Sequence, residues 1–280
     1  MSPSHNPRDL EFTDHDFQRI RKLIHDHAGI ALSDAKRDLV YSRLTRRLRI
    51  HEFDTFAEYI SLLEKQNDEW ELFVNSLTTN LTSFFREPHH FPILSEHIAS
   101  IRQRQPILLW CSAASTGEEA YSMAITMAEL FNSFNPPVRI LATDIDTHVL
   151  LKARSGIYTQ DKIEKLSDAT RRRFFIENAD NTVTVHPELR NMINFQQQNL
   201  VSSNWLFRGP FDAIFCRNVM IYFDKETQTK ILRNFIPVMR RDGLLFAGHS
   251  ESFHHANDLF TIKGRTVYGI AQTSQSLAQA

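Results

Sequence analysis

Two adjacent glutamates follow a short loop after an apolar run. The run ILLW (107–110) is typical of a buried strand, and the small residues after it lead through Gly117 to Glu118 and Glu119, where a helix is predicted to begin. A strand, a tight turn and a helix often frame a nucleotide site, in which free N–H groups of the helix bind a phosphate. A carboxylate in this first turn would repel a phosphate. The pattern therefore favours a ligand with a positive charge and no phosphate.

A second acid narrows the class of ligand. Asp144 ends the next predicted strand, at a spacing where an acid often accepts hydrogen bonds from ribose hydroxyls, although Asp also caps helices and Asp146 is a candidate cap. Glu119 has an equally good explanation as an acid that complements the helix dipole. Glu118, at the carboxyl end of the first strand, is better explained by a ligand. S-adenosylmethionine has an ammonium, a sulfonium and a ribose but no phosphate, so it fits both acids.

The composition is that of an ordinary globular protein. The chain has 280 residues, 42% hydrophobic and 23% charged, with a net charge of −1, so bulk charge favours neither nucleic acid nor a membrane surface. The two cysteines, Cys111 and Cys216, lie in apolar runs and are expected to be free thiols in a reducing compartment. We find no secretory signal and no apolar run long enough to cross a bilayer. We therefore expect a cytoplasmic protein without membrane insertion and without a nucleic-acid partner.

The first part of the chain is predicted to be helical. Thr13 is a candidate cap for a helix to about His27, and Ser33 for a second helix whose apolar stripe is Val40, Leu44 and Leu48. Thr55 and Glu58 form a capping-box pattern before a third helix. A fourth helix is predicted over about 68–77.

Beyond residue 106, short apolar runs alternate with helical segments, which indicates a parallel sheet covered on both faces. The last run, TVYGI (266–270), follows GLLFAG (243–248) too closely for a helical crossover and is expected to pair antiparallel. The 67 residues from Asp144 to FDAIFC (211–216) are too many for one helix and its loops. They predict a small inserted subdomain at about 156–192, with a helix near 167–178. The tail after residue 271 is polar and is expected to be disordered.

Several long motifs resemble one family, the chemotaxis receptor methyltransferases of the CheR type. The motifs that carry the resemblance are NLTSFFREPHHF (80–91), CSAASTGEEAYSMA (111–124), LATDID (141–146), ARSGIY (153–158), FDAIFCRNVMIYFD (211–224) and GLLFAGHSES (243–252). The resemblance runs from about residue 12 to 271. It implies an α/β protein with an N-terminal all-α helical domain (1–85) and a Rossmann-like class I methyltransferase domain (86–280) carrying a small inserted β subdomain. It also implies that methyl groups pass from S-adenosylmethionine to glutamates on the cytoplasmic helices of bacterial chemoreceptors, leaving S-adenosylhomocysteine.

The resemblance also implies roles for individual residues. Glu118 would bind the methionine ammonium and Asp144 the ribose hydroxyls, while Tyr222 would lie near the transferred methyl. Arg86 would hold either the cofactor carboxylate or the incoming glutamyl carboxylate. The remaining residues implied for the cofactor site are Asn80, Thr82, Asn199, Leu200, Arg217 and Asn218. No metal is implied.

A basic helix is the candidate surface for the partner. Lys36, Arg43 and Arg47 are spaced to share one helix face, with Arg46 beside them, and such a pattern is either a solvated face or a docking surface. The resemblance favours contact with acidic receptor helices, made by a monomeric enzyme. The short loop ENADNTVTVHPEL (177–189) leaves open whether the inserted subdomain also binds a receptor C-terminal peptide.

The predicted reaction explains why we find no catalytic triad or acid/base pair. A glutamate side chain, with an ordinary pKa near ~4.3, is already an anionic nucleophile at neutral pH. Positioning and removal of water are then the main tasks. Two alternatives remain: a methyltransferase acting on a small molecule or RNA, and a cofactor-binding module that signals without catalysis.

Overall fold

The computed structural model describes residues 10–65, 68–205 and 207–278. The chain divides into two compact units, Met1–Thr79 and Asn80–Ala280, so the division falls six residues before the expected boundary between 85 and 86. Phe84 lies on the second side of this division because its ring packs edge-on against Tyr158 and Phe175, with ring centroids 5.0 and 5.3 Å away.

The first unit is built of helices. They are α1 (Asp14–Ala28), α2 (Arg37–Ile50), α3 (Phe56–Lys65) and α4 (Glu69–Leu77). The predicted caps of two of them are confirmed. Thr13 forms a capping box with Asp16, α1 ends at Gly29 in the left-handed conformation, and the Glu58 carboxylate accepts from the Thr55 backbone N–H at 2.9 Å.

The start of the second helix differs from the prediction. Ser33 makes no side-chain cap, and a 3-10 helix, Asp34–Lys36, precedes α2. Lys36 therefore lies before α2, where the tighter 3-10 winding does not continue the spacing of the α-helix. The predicted apolar stripe is confirmed, because Val40, Leu44 and Leu48 are all fully buried.

The second unit is centred on a seven-stranded sheet. In chain order its strands are β1 (Ile107–Cys111), β2 (Val138–Asp144), β6 (Ile193–Gln197), β7 (Phe211–Cys216), β8 (Met239–Ala247), β9 (Phe260–Gly264) and β10 (Val267–Ile270). The spatial order is β6-β2-β1-β7-β8-β10-β9. The strands from β6 to β8 run parallel, and β10 pairs antiparallel with β8 as predicted. The sequence does not predict β9, because its residues after Phe260 are largely exposed and lack a strong apolar pattern.

Helices cover both faces of this sheet. The helices of this unit are α5 (His90–Ser100), α6 (Glu118–Leu130), α7 (Thr147–Ser155), α8 (Asp168–Phe174), α9 (Pro187–Asn191) and α10 (Lys225–Phe235). Alternation along β1 divides the core, since Leu109 and Cys111 join one hydrophobic cluster and Trp110 joins the other. This is the doubly covered sheet that the apolar runs predicted. Cys111 and Cys216 are buried free thiols.

A second, three-stranded antiparallel sheet lies within the segment expected to be inserted. It is formed by β3 (Ile157–Thr159), β5 (Thr182–Val185) and β4 (Phe175–Glu177), in that order. The helix predicted to reach residue 178 is too long, because α8 ends at Phe174 and the next residues pair with β5. The buried ring of Phe175 faces the core from this strand.

The expectation of a disordered tail is wrong over its first residues. Gln272–Leu277 forms a 3-10 helix, and the hydroxyls of Thr273 and Ser274 donate to the backbone carbonyl of Asp258 at 2.8 and 2.9 Å. These bonds and the burial of Ser274 hold a polar segment that has little apolar surface of its own. Residues 279–280 lie outside the described part of the chain. None of the described helices is long and apolar enough to cross a membrane.

Candidate cofactor and methyl-transfer site

The loop after β1 depends on a glycine at its end. Gly117 precedes α6 with a φ of 99°, in the left-handed region that favours glycine. A Cβ at this position would lie 2.9 Å from both the Ala153 Cβ and the Tyr158 hydroxyl. Tyr158 in turn donates to the Thr116 carbonyl at 2.7 Å. The loop is therefore packed tightly against α7 and β3, and its shape is fixed before any ligand binds.

Glu118 carries a buried acceptor that no protein donor satisfies. Glu118 is 1% exposed, and its Oε2 accepts from the Thr116 hydroxyl at 2.6 Å. Its Oε1 is buried and has no hydrogen-bond partner among the described residues, although the Lys162 Nζ lies 3.8 Å away. An unsatisfied buried carboxylate oxygen is costly. The site therefore fits the ammonium of S-adenosylmethionine, which would supply the missing donor.

Glu119 turns away from that position and forms an internal ion pair. Its Oε2 lies 2.9 Å from the Arg217 Nη1, and the Cys111 thiol donates to its Oε1 at 3.2 Å. Burial raises the pKa of Glu119, and the Arg217 charge opposes this rise. The helix dipole alone thus does not account for Glu119, because its main partner is a buried guanidinium.

Arg217 connects this pair to the segment that carries Arg86. Its Nη2 donates to the Arg86 carbonyl at 2.5 Å and lies 3.3 Å from the Glu87 Oε2. Phe85 and Glu87 have φ values of 51° and 52°, which is strained for side chains of their kind. The resemblance placed Arg217 in the cofactor site, but its fully buried side chain faces these protein groups. It holds a strained segment in place.

Glu87 is kept ionised by its neighbours. Burial alone would raise its pKa, but the Arg217 charge and hydrogen bonds from His249 and Asn218 lower it to about 2. Arg86, next along the chain, donates from Nη1 to the Leu81 carbonyl at 2.8 Å. Its other guanidinium N–H groups have no hydrogen-bond partner within the described ranges, and the residue is half-buried. Arg86 can therefore still bind a carboxylate.

Asp144 ends β2 and receives two backbone donors. Its Oδ2 accepts from the Ser115 N–H at 2.8 Å and its Oδ1 from the Asp146 N–H at 3.1 Å. Burial raises its pKa to about 6, against the effect of these hydrogen bonds. Asp146 caps α7, as the sequence suggested, and also accepts from the Asn80 amide at 3.1 Å. Asn80 and Asp144 are thus brought to the same edge of the sheet.

The other residues implied for the cofactor site lie in different surroundings. The Gln198 N–H donates to the Asp144 carbonyl at 2.9 Å, which brings the segment with Asn199 and Leu200 beside β2. The Asn199 side chain accepts from the Val201 N–H at 3.1 Å, and Leu200 is buried in the core cluster around Trp110. Thr82 is half-buried on the segment that follows Asn80.

Glu251 organises the turn after β7, a role that the sequence pattern does not predict. Its carboxylate accepts from the backbone N–H groups of Asn218, Val219, Met220 and Gly248, at 2.9, 3.0, 2.8 and 2.5 Å. A Cβ on Gly248 would lie 2.9 Å from the Glu251 Oε2. The available signal was the acid in GHSES, three residues after a glycine that ends a strand.

The position of Tyr222 depends on the turn that Glu251 holds. It ends the 3-10 helix Met220–Tyr222, whose N-terminal amides bind Glu251, and it is half-buried. Asn218 enters the turn with a φ of 58°, and its amide lies 3.4 Å from the Glu87 Oε1. Glu251 and Glu87 therefore fix the backbone on which Asn218 and Tyr222 stand.

The buried His90 in the same region packs as a neutral ring. Glu87, His89 and His90 offer ligand atoms within 4.8 Å of one another. The Arg217 guanidinium beside Glu87 would repel a cation there. Burial lowers the pKa of His90 to about 4, and its Nε2 lies 2.9 Å from the Arg265 carbonyl. A packing role explains this group better than a metal.

The basic residues of the first unit do not form the expected stripe. Arg47 makes a bidentate pair with the buried Glu69, at 2.8 and 2.7 Å, and Arg43 donates to the Ser76 and Thr78 carbonyls at the end of α4. Arg46 and Lys36 are exposed. The prediction that Arg47 shares an open face with Lys36 and Arg43 is therefore wrong, because Glu69 binds Arg47 against α4.

The fold and the site together define a class. A parallel sheet with α6 starting at its carboxyl edge, an acidic loop in place of a phosphate loop, and an acid at the end of the next strand are the features of a class I S-adenosylmethionine-dependent methyltransferase.

Comparison with known families agrees with this class and narrows it. The model for the CheR methyltransferase SAM-binding domain matches residues 80–268, and that for the CheR methyltransferase all-alpha domain matches residues 15–78. The chain belongs to the CheR methyltransferase family. The expected fold class and the expected cofactor are thereby confirmed.

Curated relatives extend over nearly the whole chain. Chemotaxis protein methyltransferase 2 of Pseudomonas aeruginosa is 48% identical over 96% of this chain and 98% of its own length. The chemotaxis protein methyltransferase of Salmonella typhimurium is 50% identical over 94% of this chain and 92% of its own length. A solved TehB-like SAM-dependent methyltransferase from Corynebacterium glutamicum is 13% identical over 63% of this chain and 84% of that chain, with a TM-score of 0.35, too low to add to the assignment. The chain is thus a methyltransferase of the chemotaxis family.

Proposed function

We propose that this enzyme methylates glutamate side chains on the cytoplasmic helices of a chemoreceptor, forming methyl esters. The observation that carries the choice of a carboxylate acceptor is Arg86. The residue is half-buried, and of its guanidinium nitrogens only Nη1 has a hydrogen-bond partner among the described residues, the Leu81 carbonyl. The names of the relatives, chemotaxis protein methyltransferases, support a chemoreceptor as the substrate.

The proposed reaction needs positioning more than acid or base catalysis. S-adenosylmethionine, when bound, supplies a methyl on a sulfonium that becomes the neutral thioether of S-adenosylhomocysteine. The glutamyl carboxylate is already ionised at neutral pH, so no residue has to remove a proton. The protein has to hold oxygen, methyl carbon and sulfur in line and keep water away.

The carboxyl edge of the sheet would bind the cofactor through its acids. Glu118 would bind the methionine ammonium through its unsatisfied Oε1, and Asp144 would accept from the ribose hydroxyls. Asn80, Asn199 and Leu200 would line the same pocket, the last two beside the adenine. Thr82 and Asn218 are assigned to this pocket by the family motifs alone.

Arg86 and Tyr222 would act at the transferred methyl. Arg86 would hold a carboxylate by its free guanidinium edge, and Arg217 would position Arg86 through its carbonyl. Tyr222 would stand beside the methyl on the turn that Glu251 holds. Arg217 and Glu251 are therefore positioning residues, not groups that touch the reacting atoms.

The exposed basic residues would attract an acidic receptor. Arg46 and Lys36 are exposed, and Arg43 is exposed although it also bonds the end of α4. Such charges increase the association rate of an acidic partner and act less strongly in high salt. Arg47 would contribute indirectly, by fixing α2 against α4.

The test is methyl transfer from labelled S-adenosylmethionine to purified receptor cytoplasmic fragments. We expect incorporation that is released by mild base, as methyl esters are, and that is lost when the receptor glutamates are changed to alanine. Base-stable label, or cofactor binding without transfer to any fragment, would contradict the proposal.

A variant pair separates the two roles open to Arg86. Arg86→Gln is compared with Arg241→Gln, an exposed arginine on β8. If Arg86 holds the glutamyl carboxylate, its variant loses methylation at least tenfold while S-adenosylhomocysteine affinity stays unchanged. A parallel loss of affinity assigns Arg86 to the cofactor carboxylate. An effect on neither measurement removes Arg86 from the site.

A further inference from the structure

A second cavity opens beside the edge strand β6, with a volume of about 380 Å³. Its polar lining consists of Arg154 at the end of α7, Arg190 and Asn191 in α9, and Asn194 in β6. Ile193 and Phe195 contribute apolar surface. The volume lies in the range of small-molecule sites.

This cavity lies at the end of the sheet opposite the cofactor loop. Ile193 pairs with Ile140, at the start of the β2–β6 ladder, whereas Gln197 pairs with Asp144 at its end. The strand rise between these two levels is about 13 Å. Ile193 therefore lies away from the level of Asp144, and none of the residues that line the cavity is among those implied for the cofactor site.

The positive charges in the cavity have no counter-ion among the residues that the structure describes. No carboxylate lines the cavity, and no ion pair in the described part of the chain includes Arg154 or Arg190. The Arg154 Nη2 donates to the Phe195 carbonyl at 2.8 Å. The Arg190 Nε is buried and has no hydrogen-bond partner among the residues described. A buried charged donor without an acceptor is costly, so an acceptor is missing here.

The stem of Arg190 is held in a fitted space. A Cβ on Gly156 would lie 3.0 Å from the Arg190 Cδ and 3.1 Å from the Tyr121 hydroxyl. Tyr121 is itself fixed by donating to the Ala153 carbonyl at 2.7 Å. Glycine at position 156 therefore leaves the room in which Arg190 packs, and the guanidinium needs little ordering when it binds a ligand.

We propose that this cavity binds a small oxyanion, a phosphate or carboxylate group, between Arg154 and Arg190. A planar guanidinium presents paired N–H donors that match both groups, and the two asparagine amides can complete the coordination. The anion supplies the counter-charge that neither arginine has among the described residues. The apolar surface of Ile193 and Phe195 accommodates the rest of a small molecule that carries the group.

The test titrates the full-length protein with inorganic phosphate and, separately, with acetate, each at constant ionic strength. Calorimetry is expected to show saturable binding of at least one anion by the wild type, in the millimolar range or tighter. Tighter binding of phosphate identifies a phosphate-bearing ligand, and tighter binding of acetate a carboxylate. If neither anion binds saturably, the proposal is overturned.

Variants locate the binding. Arg190→Gln and Arg154→Gln are each expected to weaken anion binding at least tenfold, whereas Arg241→Gln leaves it unchanged. All three variants should retain the wild-type affinity for S-adenosylhomocysteine, which shows that they are folded. Equal anion affinity in all four proteins would place the anion elsewhere and overturn the proposal. Should Arg190→Gln fail to fold, Arg154→Gln alone decides.

Discussion

The basic helix α2 and the carboxyl edge of the main sheet each carry two adjacent residues of like charge. In each pair one residue is bound by a buried counter-ion and the other is not. On α2, Arg47 is bound to the buried Glu69 while Arg46 is exposed. On α6, Glu119 is bound to the buried Arg217 while Glu118 keeps an unsatisfied oxygen. Successive residues of a helix point about 100° apart, so only one of each pair can face the counter-ion. In both regions the residue that no buried counter-ion binds is the one that we assign to a ligand or a partner, since Glu118 has only the exposed Lys162 Nζ, 3.8 Å from its Oε1.

The largest expected effect is the loss of stability when Glu119, the acid that pairs with the buried Arg217, is substituted. Glu119→Gln removes the charge opposite Arg217, and the free energy of unfolding should fall by about 3 kcal/mol because a buried guanidinium loses a partner. Urea unfolding of the full chain, followed by tryptophan fluorescence, measures this. A loss below about 0.5 kcal/mol would show that Glu87 alone is enough for Arg217.

Substitution of the neighbouring acid, Glu118, should affect cofactor binding rather than stability. Glu118→Gln is expected to weaken S-adenosylhomocysteine binding by about 2 kcal/mol, roughly thirtyfold, because the charged hydrogen bond to its ammonium is lost. Stability should change little. Calorimetric titration of both glutamine variants tests the contrast. If Glu119→Gln weakened binding more than Glu118→Gln, the assignment of the two acids would be reversed.

On α2 the expected difference between the Arg47 and Arg46 variants is smaller. Arg47→Met should lower the protection of the α2 backbone amides against hydrogen exchange by about 1.5 kcal/mol, because Glu69 loses its bidentate partner. Arg46→Met should leave that protection unchanged. Arg46→Glu should instead slow receptor methylation at low salt, without changing cofactor affinity. Equal methylation rates in Arg46→Glu and wild type would remove this residue from the docking surface.

The smallest effect is the pH dependence that Asp144 confers. Burial raises its pKa to about 6, above its unfolded value near ~3.9. Its contribution to folding is therefore full below pH ~4 and is lost as the pH rises through 6. Cofactor binding has the opposite sign, because ribose hydroxyls donate to the ionised form.

Affinity for S-adenosylhomocysteine should thus be constant above neutral pH and decline, by less than tenfold, as the pH falls below about 6. Calorimetry over this range compares wild type with Asp144→Asn, in which the decline should be absent. A decline of the same size in the variant would assign it to another group.

Local patterns predicted much of the fold. The cap at Thr13, the capping box at Thr55, the parallel strands β1, β2, β7 and β8 and the antiparallel β10 all follow from short-range chemistry and apolar periodicity. The 3-10 helix before α2, the exposed strand β9 and the ordered segment after residue 271 do not. The segment Gln272–Leu277 depends on the Asp258 carbonyl, which accepts from the Thr273 and Ser274 hydroxyls. Strand β9 is an edge strand that pairs with β10, and its exposed residues give no apolar signal.

The residues of the candidate site also divide into those that local sequence patterns identify and those that depend on distant partners. Glu118 and Asp144 were identified because they follow strands whose ends must meet at one edge of the sheet. Glu251 and Glu87 were not, because their roles depend on backbone N–H groups and a guanidinium up to 130 residues away, and a carboxylate in a loop has no local signal for such partners. Arg217 was identified, but its orientation was not.

The sequence by itself determined the family, the cofactor and the edge of the sheet to which we assign it, since strand ends, turn residues and acids are local features with few arrangements. Only the tertiary structure decided which of two adjacent charges is bound by a buried counter-ion, because that counter-ion comes from an element distant in sequence. Glu119 pairs with Arg217, and Arg47 pairs with Glu69. Glu118 is also buried but keeps an oxygen without a hydrogen-bond donor among the described residues, and Arg46 is exposed.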